Sequence, residues 1–126
     1  MKNLLVSVLV AMFGCAPLAQ NSGAAAAPSQ DKQQCVIVLR NVNTAEMQYR
    51  AANHHFGTVV QLLSSGDLES RFASLFDNPS LATKFRVFVS PDGASYEISG
   101  VHRDSDRSWG CVSNEAGVIY LAEPIR

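Results

Sequence analysis

The sequence predicts an α+β domain in which one long helix packs on a small antiparallel sheet. Between residues 38 and 56 apolar residues recur every three or four positions, as they do along one face of a helix. Beyond Lys84 apolar and polar residues alternate in four short runs joined by turn residues, with no helical segment between them. Helices followed by consecutive strands are typical of an α+β domain with an antiparallel sheet.

The composition limits both the size of the domain and the class of its partners. The chain has 126 residues, of which 47% are hydrophobic, so it can build one modest core. The 10 Lys and Arg side chains stand against 11 Asp and Glu, and the formal net charge is −1. Because the sequence has no basic stripe that would neutralise a run of phosphates, we expect no nucleic-acid partner.

The first residues have the architecture of an export signal. Lys2 supplies a positive charge, and Leu4 to Phe13 form a mostly apolar run that is too short to cross a bilayer as a helix. We therefore expect residues 1–14 to be a signal peptide and the protein to be exported.

The residues before Cys15 resemble a bacterial lipobox, in which a small residue precedes a Cys that is lipidated and becomes the mature N-terminus. Met12 stands where Leu is usual, and Phe13 stands where a small residue is usual. The alternative is an ordinary signal peptidase site, but cleavage after Ala19 would put a proline at the minus-three position. We expect lipidation at Cys15, which would attach the protein to a membrane; otherwise Cys15 is lost with the leader.

A spacer separates this anchor from the folded domain. Residues 15–34 are rich in Ala, Gln, Ser and Gly, and no large apolar residue lies between Leu18 and Cys35, so the segment cannot build a core. We expect the α+β domain to occupy residues 35–126. Its two cysteines, Cys35 and Cys111, can form a disulfide in the oxidising compartment that export implies. The alternative is a pair of buried thiols that act as small apolar side chains.

The long helix is predicted to begin after Ser29, a good N-cap, and to end before Gly57, a left-handed C-terminal cap. His54 and His55 would occupy its last turn. Its buried face is expected to contain six apolar residues: Val38, Val42, Ala45, Tyr49, Ala52 and Phe56. The polar residues Arg40, Asn43, Glu46 and Arg50 are expected on other faces. Glu46 and Arg50 would form an i, i+4 pair.

Short helices and two hairpins follow. Thr58 is predicted to cap a helix that runs through Leu63 and is ended by Gly66, and Asp67 is predicted to cap a third helix that reaches about Phe76. The first hairpin pairs residues 85–89 with residues 96–99 across a Pro-Asp-Gly turn. After a polar loop at 103–108, residues 109–113 and 118–121 form the second hairpin.

Two groups of histidines invite a catalytic or metal interpretation. His54 and His55 are neighbours on a helix, so their side chains point about 100° apart, and no third ligand lies at metal-site spacing. His102 is followed by Asp104 and Asp106, and this set is chemically suited to acid–base or metal chemistry. Because the run lies between two predicted strands in a polar stretch, we expect a hydrated connecting loop there.

Cys111 could form a Cys–His pair with His102 or His54. The alternating pattern around Cys111 predicts that the thiol is buried in a strand, where it would be inert. We therefore predict no catalytic residue, no cofactor and no metal site. A small envelope hydrolase or metal protein that uses His102, Asp104 and Asp106 is the lesser alternative.

The segment from Asn41 to Leu68 and the runs SYEIS and NEAGVIY carry a resemblance to a known family. The resembling residues of the segment are Asn43, Thr44, Ala45, Glu46, Tyr49, Phe56, Gly57, Thr58, Leu62, Leu63, Gly66 and Leu68. They resemble type IV pilin-like and pseudopilin-like bacterial proteins, the two runs are similar to the closing strands of that group, and the resemblance spans about residues 35–122. The resemblance implies a helix laid on a small antiparallel sheet, and a head that is a structural or binding module. The chain departs from true pilins because it lacks a prepilin peptidase site and the apolar filament-forming helix that follows it.

The expected function is that of a non-enzymatic bacterial envelope protein. A lipid on Cys15 would anchor it to the outer or cytoplasmic membrane, facing the periplasm or the cell surface. The pilin-like head would then interact with another envelope protein. The alternative is a secreted periplasmic binding or inhibitor module without a lipid.

Overall fold

A long helix lies against one face of a four-stranded antiparallel sheet, and short helices connect the two in the chain. The computed structural model describes residues 30–103 and 108–124. The helices are α1 (Gln30–Asn53), α2 (Val59–Ser65) and α3 (Ala73–Asp77), with a 3₁₀ turn at Ser70–Phe72. The strands are β1 (Thr83–Val89), β2 (Tyr96–Arg103), β3 (Ser108–Asn114) and β4 (Tyr120–Ala122). The predicted α+β class is confirmed.

The sheet is a meander in which each strand pairs with the next one in the chain, in the order β1-β2-β3-β4. Side chains alternate between its two faces, as the period of a strand requires. One face is packed against α1, and its buried residues include Phe85, Tyr96, Ile98, Trp109 and Cys111.

The buried face of α1 follows the predicted spacing over most of its length. Its buried apolar residues are Cys35, Val38, Leu39, Val42, Ala45 and Tyr49. Ala52, which was predicted to continue this face, is exposed. In the described part of the chain, no helix combines the length and the apolar character that crossing a membrane requires.

The end of α1 differs from the prediction. The helix ends at Asn53, and the left-handed residue is His54, with φ 64°, instead of Gly57. Leaving the helix here lets the Phe56 N–H donate to the Gly93 carbonyl at 2.9 Å, and Phe56 is buried without being helical. Gly57 is required by close packing, since a Cβ there would lie 2.9 Å from the Tyr49 ring.

Cys35 and Cys111 lie within disulfide-bonding distance, with their Cα atoms 6.7 Å apart and a sequence separation of 76. Both are buried, and the pair connects α1 to β3. Gly100 faces Cys111 across the β2–β3 ladder. A Cβ at Gly100 would lie 2.7 Å from the sulfur of Cys35, so the absence of a side chain there makes room for the two sulfurs.

The caps of α2 agree with the prediction, whereas the start of the predicted third helix differs from it. Thr58 caps α2 in a capping box with Gln61, and Gly66 ends it in the left-handed conformation with φ 82°. Asp67 does not cap a helix; its carboxylate accepts a hydrogen bond from the Ser65 hydroxyl. The chain instead forms the 3₁₀ turn at Ser70–Phe72 before α3.

Candidate functional site

The face of the sheet turned away from α1 is exposed, and we call it the outer face. Strand alternation and register place nine larger polar or apolar residues on it: Lys84, Arg86, Phe88, Glu97, Ser99, Val101, Arg103, Val112 and Tyr120. Phe88 is 67% exposed and Tyr120 is 58% exposed, although both are aromatic. Several large apolar side chains that remain exposed on one face are typical of an interaction surface.

The strand register arranges these residues in rows across the sheet. One row runs from Arg86 through Ser99 and Val112 to Tyr120. The next row runs from Lys84 through Val101 and Gly110 to Ala122. In these two rows the basic groups lie on β1, and the apolar groups lie on β2, β3 and β4.

The charges on the outer face are unbalanced. Lys84, Arg86 and Arg103 are basic, and Glu97 is the acidic residue among the described positions of this face. The Lys84 ammonium donates to the carbonyls of Asn78 and Pro79. Within the described residues, neither Arg86 nor Arg103 takes part in an ion pair. This face thus carries a positive excess in a chain whose net charge is −1.

A second feature is a cavity of about 450 Å³ at the C-terminal end of α1, which we call the tip cavity. It lies between the α1–α2 loop and the β1–β2 turn. Its lining residues are His55, Phe56, Thr58, Gln61, Val89, Ser90, Pro91, Asp92 and Gly93. The cavity is partly polar, because both loops contribute side chains that can form hydrogen bonds.

Two lining side chains have defined states. His55 Nδ1 lies 2.9 Å from the Phe56 carbonyl oxygen. Because a carbonyl oxygen can only accept a hydrogen bond, Nδ1 carries the hydrogen. In the neutral ring Nε2 is then an acceptor. Hydrogen bonds from the Ser90 hydroxyl and the Ala94 N–H lower the pKa of the Asp92 carboxyl, which is therefore ionised at neutral pH.

Glu46 is buried in the helix–sheet interface, although the sequence predicted an exposed side chain paired with Arg50. Its Oε2 accepts a hydrogen bond from the Gly57 N–H at 2.8 Å. Its Oε1 has no hydrogen-bond partner within the described residues. Burial raises the pKa of Glu46 to about 7, and the Gly57 hydrogen bond acts in the opposite direction. The Arg50 guanidinium carbon lies instead 5.0 Å from the centroid of the Phe56 ring.

A chain of polar groups lies beside Glu46. The Tyr96 hydroxyl donates to Asn43 Oδ1 at 2.7 Å, and Asn43 Nδ2 donates to the Ser113 hydroxyl at 2.8 Å. Burial, with the nearby Glu46 and Glu115 carboxylates, raises the pKa of Tyr96 to about 12. Asn43 was predicted on a helix face other than the buried one, and the structure shows that it bridges the helix and the sheet.

His102 does not lie in a hydrated loop, and that prediction is wrong. It belongs to β2, is buried, and stacks on Trp109 with the ring centroids 5.0 Å apart. Its Nδ1 lies 2.8 Å from the Thr83 hydroxyl. Asp104 and Asp106, the other members of the suggested set, lie outside the described residues.

The remaining predictions concern Cys15, Cys111 and metal binding. Cys15, the predicted lipidation site, lies outside the described residues. Cys111 is buried and lies within disulfide-bonding distance of Cys35. In residues 30–103 and 108–124, no group of three or more His, Cys, Asp or Glu side chains is placed to hold a metal ion.

Sequence reasoning missed two features that had detectable signals. Phe88 falls at the polar phase of the β1 alternation, between Val87 and Val89, so an exposed aromatic side chain could have been read from the pattern. Glu46 lies four residues after Val42 and three before Tyr49, which is the spacing of the buried face. The tip cavity had no such signal, because its two walls are far apart in sequence.

Comparison with protein-family models, with curated protein sequences and with solved structures returned no match to this chain.

Proposed function

We propose that this chain is an exported, non-enzymatic envelope protein that is anchored by a lipid on Cys15 and presents its α+β domain to a protein partner. The observation that carries the proposal is the outer face of the sheet. Phe88, Val101 and Tyr120 remain 67%, 42% and 58% exposed there, beside cations that have no ion-pair partner in the described part of the chain. Burial of such side chains against a partner would be favourable.

The position of the helix supports a tethered arrangement. Lys32, near the start of α1, forms an ion pair with Glu123, just after β4. A tether that precedes residue 30 would therefore join the domain at the β4 end of the sheet. α1 has 24 residues and is about 36 Å long, so the tip cavity lies at the far end of the domain from the tether.

We also propose that the domain is a pilin-like head. The long helix laid on a four-stranded antiparallel meander supports this proposal, together with the similar residues between Asn43 and Leu68. The head would work as a tethered module, because residues 1–34 have the composition of a leader and spacer in the place where a pilin has its filament-forming helix.

A secreted periplasmic binding or inhibitor module without a lipid is the second candidate function. The tip cavity favours it, because a volume of about 450 Å³ lies within the range of small-molecule sites and the lining includes Thr58, Gln61 and Asp92. In that case the cavity, rather than the outer face, would be the working surface.

Metabolic labelling separates the two candidates. Cells that express the full chain are given an alkyne analogue of palmitate, and the parent is compared with Cys15→Ala. We expect label and membrane association in the parent and the loss of both in the variant. The matched control, Cys35→Ala with Cys111→Ala, keeps Cys15 and should keep its label. An unlabelled parent, or equal labelling of Cys15→Ala, would overturn the lipid anchor.

A further inference from the structure

We infer that the outer face binds a short acidic segment of a partner protein that carries apolar side chains between its carboxylates. The inference rests on the proposed function in one respect, since it takes the domain to be an interaction module. The size of the face, its charge and the spacing of its aromatic residues all favour this occupant.

The size of the face matches a segment instead of a large protein surface. Three strand spacings give a width of about 14 Å, and strands of seven or eight residues give a length of about 25 Å. The resulting area is well below the roughly 800 Å² that each partner buries in a stable protein complex of standard size. An extended segment of about seven residues would cover the face along a strand direction.

The charge of the face selects an acidic occupant. Lys84, Arg86 and Arg103 exceed the single acidic Glu97 among its described residues. A second copy of the chain would fit poorly, because two copies of a face that carries a positive excess would repel one another. Carboxylates on a partner would meet Arg86 and Arg103, which take part in no ion pair within the described residues.

The spacing of the aromatic residues favours a polypeptide over an anionic membrane. Phe88 lies on β1, in a row that continues through Glu97 to Asn114, whereas Tyr120 lies on β4 at the opposite edge of the sheet, in the next row beside Val112. Insertion into a bilayer requires apolar side chains that enter the interface together. Separate aromatic positions on a flat face instead provide separate contacts for successive side chains of a segment.

The test uses the full chain in neutral detergent and a fluorescent copolymer of Glu and Tyr as the probe, read by fluorescence anisotropy at low salt. The face variant is Arg86→Glu with Arg103→Glu. The control is Arg40→Glu with Arg71→Glu, which changes the net charge equally at exposed positions of α1 and the 3₁₀ turn. We expect the face variant to lose affinity by about tenfold or more and the control by less than about twofold.

A second pair of variants tests the apolar contribution. Phe88→Ser removes an exposed aromatic group from the outer face, whereas Val60→Ser removes an apolar group that is 72% exposed on α2. We expect Phe88→Ser to weaken binding by about threefold or more, and Val60→Ser to leave it unchanged. Since these residues are exposed, the variants should fold like the parent.

The second arm of the experiment measures the binding of the same variants to anionic phosphatidylglycerol vesicles. If the face variants reduce vesicle binding and leave copolymer binding unchanged, the occupant is a membrane and the inference is wrong. Equal losses in face and control variants, or no copolymer binding by the parent, would also overturn it. Copolymer binding is measured whether or not Cys15 is lipidated, so failure here is distinguishable from failure of the lipid anchor.

Discussion

The two halves of α1 are held in the domain by different chemistry. Near its start, Cys35 lies within disulfide-bonding distance of Cys111 in an apolar environment beneath Gly100. Farther along, the Glu46 carboxyl accepts a hydrogen bond from Gly57, and Asn43 links the helix to Tyr96 and Ser113.

This difference means that the two halves respond to different conditions. A disulfide is insensitive to pH and sensitive to reductant, whereas a buried carboxyl is sensitive to pH. The half nearest the proposed tether is held by the sulfur pair, and the half that supports the tip cavity is held by a titratable group. Changes directed at one half should therefore leave the other half largely in place.

Loss of the sulfur pair is expected to have the largest effect on stability. If Cys35 and Cys111 form the disulfide, it closes a loop with a sequence separation of 76, and the chain-entropy relation gives roughly 4 kcal/mol for such a loop. We expect Cys35→Ala with Cys111→Ala to lower the free energy of unfolding by about that amount. Urea denaturation followed through Trp109, the single tryptophan, measures it.

Hydrogen exchange distinguishes the two halves of α1. In the double variant, amide exchange should accelerate more over residues 30–42 than over residues 46–53, because the carboxyl contact remains. The control is Cys15→Ala, which should leave unfolding unchanged. Complete alkylation of Cys35 and Cys111 in the native, non-reduced protein would contradict the disulfide.

The next largest effect is expected from Glu46, which should make the free energy of unfolding depend on pH. Burial raises its pKa from 4.5 to about 7, so between these values the folded protein holds a proton that the unfolded chain has released. Stability contributed by this group is full below pH 4.5 and is lost as pH rises through about 7. The shift corresponds to a loss of about 3 kcal/mol in the free energy of unfolding by pH 8.

Glu46→Gln tests this dependence, because the amide keeps the shape and an acceptor for the Gly57 N–H without ionising. We expect its free energy of unfolding to change little between pH 5 and pH 8, while the parent falls. Glu97→Gln, which alters an exposed carboxyl on β2, should behave like the parent. Parallel pH profiles for the parent and Glu46→Gln would show that Glu46 is not the group responsible.

Much of the fold could be predicted because local patterns and tertiary packing agree. The spacing from Val38 to Tyr49 defines the buried face of α1, and the turn at Pro91–Gly93 separates two strands of alternating pattern. Glu46 was misplaced because a charged residue is assigned to the surface by composition, although its spacing is that of the core. Glu46 is buried because its carboxyl accepts a hydrogen bond from the Gly57 N–H.

The prediction failed at His102 for a related reason. Its polar neighbours indicated a loop, but Tyr96, Ile98 and Gly100 continue a period of two that places His102 on the buried face of β2. The candidate sites were less accessible to sequence reasoning. The rows of the outer face depend on strand register, and the walls of the tip cavity meet only after the Phe56 N–H has paired with the Gly93 carbonyl.

The capping box of α2 should have the smallest effect and tests whether the tip half of the domain can be loosened locally. The Thr58 hydroxyl accepts from the Gln61 N–H, and the Gln61 side chain accepts from the Thr58 N–H. We expect Thr58→Ala to lower the free energy of unfolding by about 1 kcal/mol. Ser64→Ala, in the last turn of the same helix, should change it by less than about 0.5 kcal/mol.

Amide hydrogen exchange shows where the domain is loosened. Thr58 and Gln61 lie at the start of α2 and line the tip cavity. In Thr58→Ala, amide exchange should therefore increase around α2 and stay unchanged over residues 30–42. Faster exchange at both ends of α1 would show instead that its two halves open as one unit.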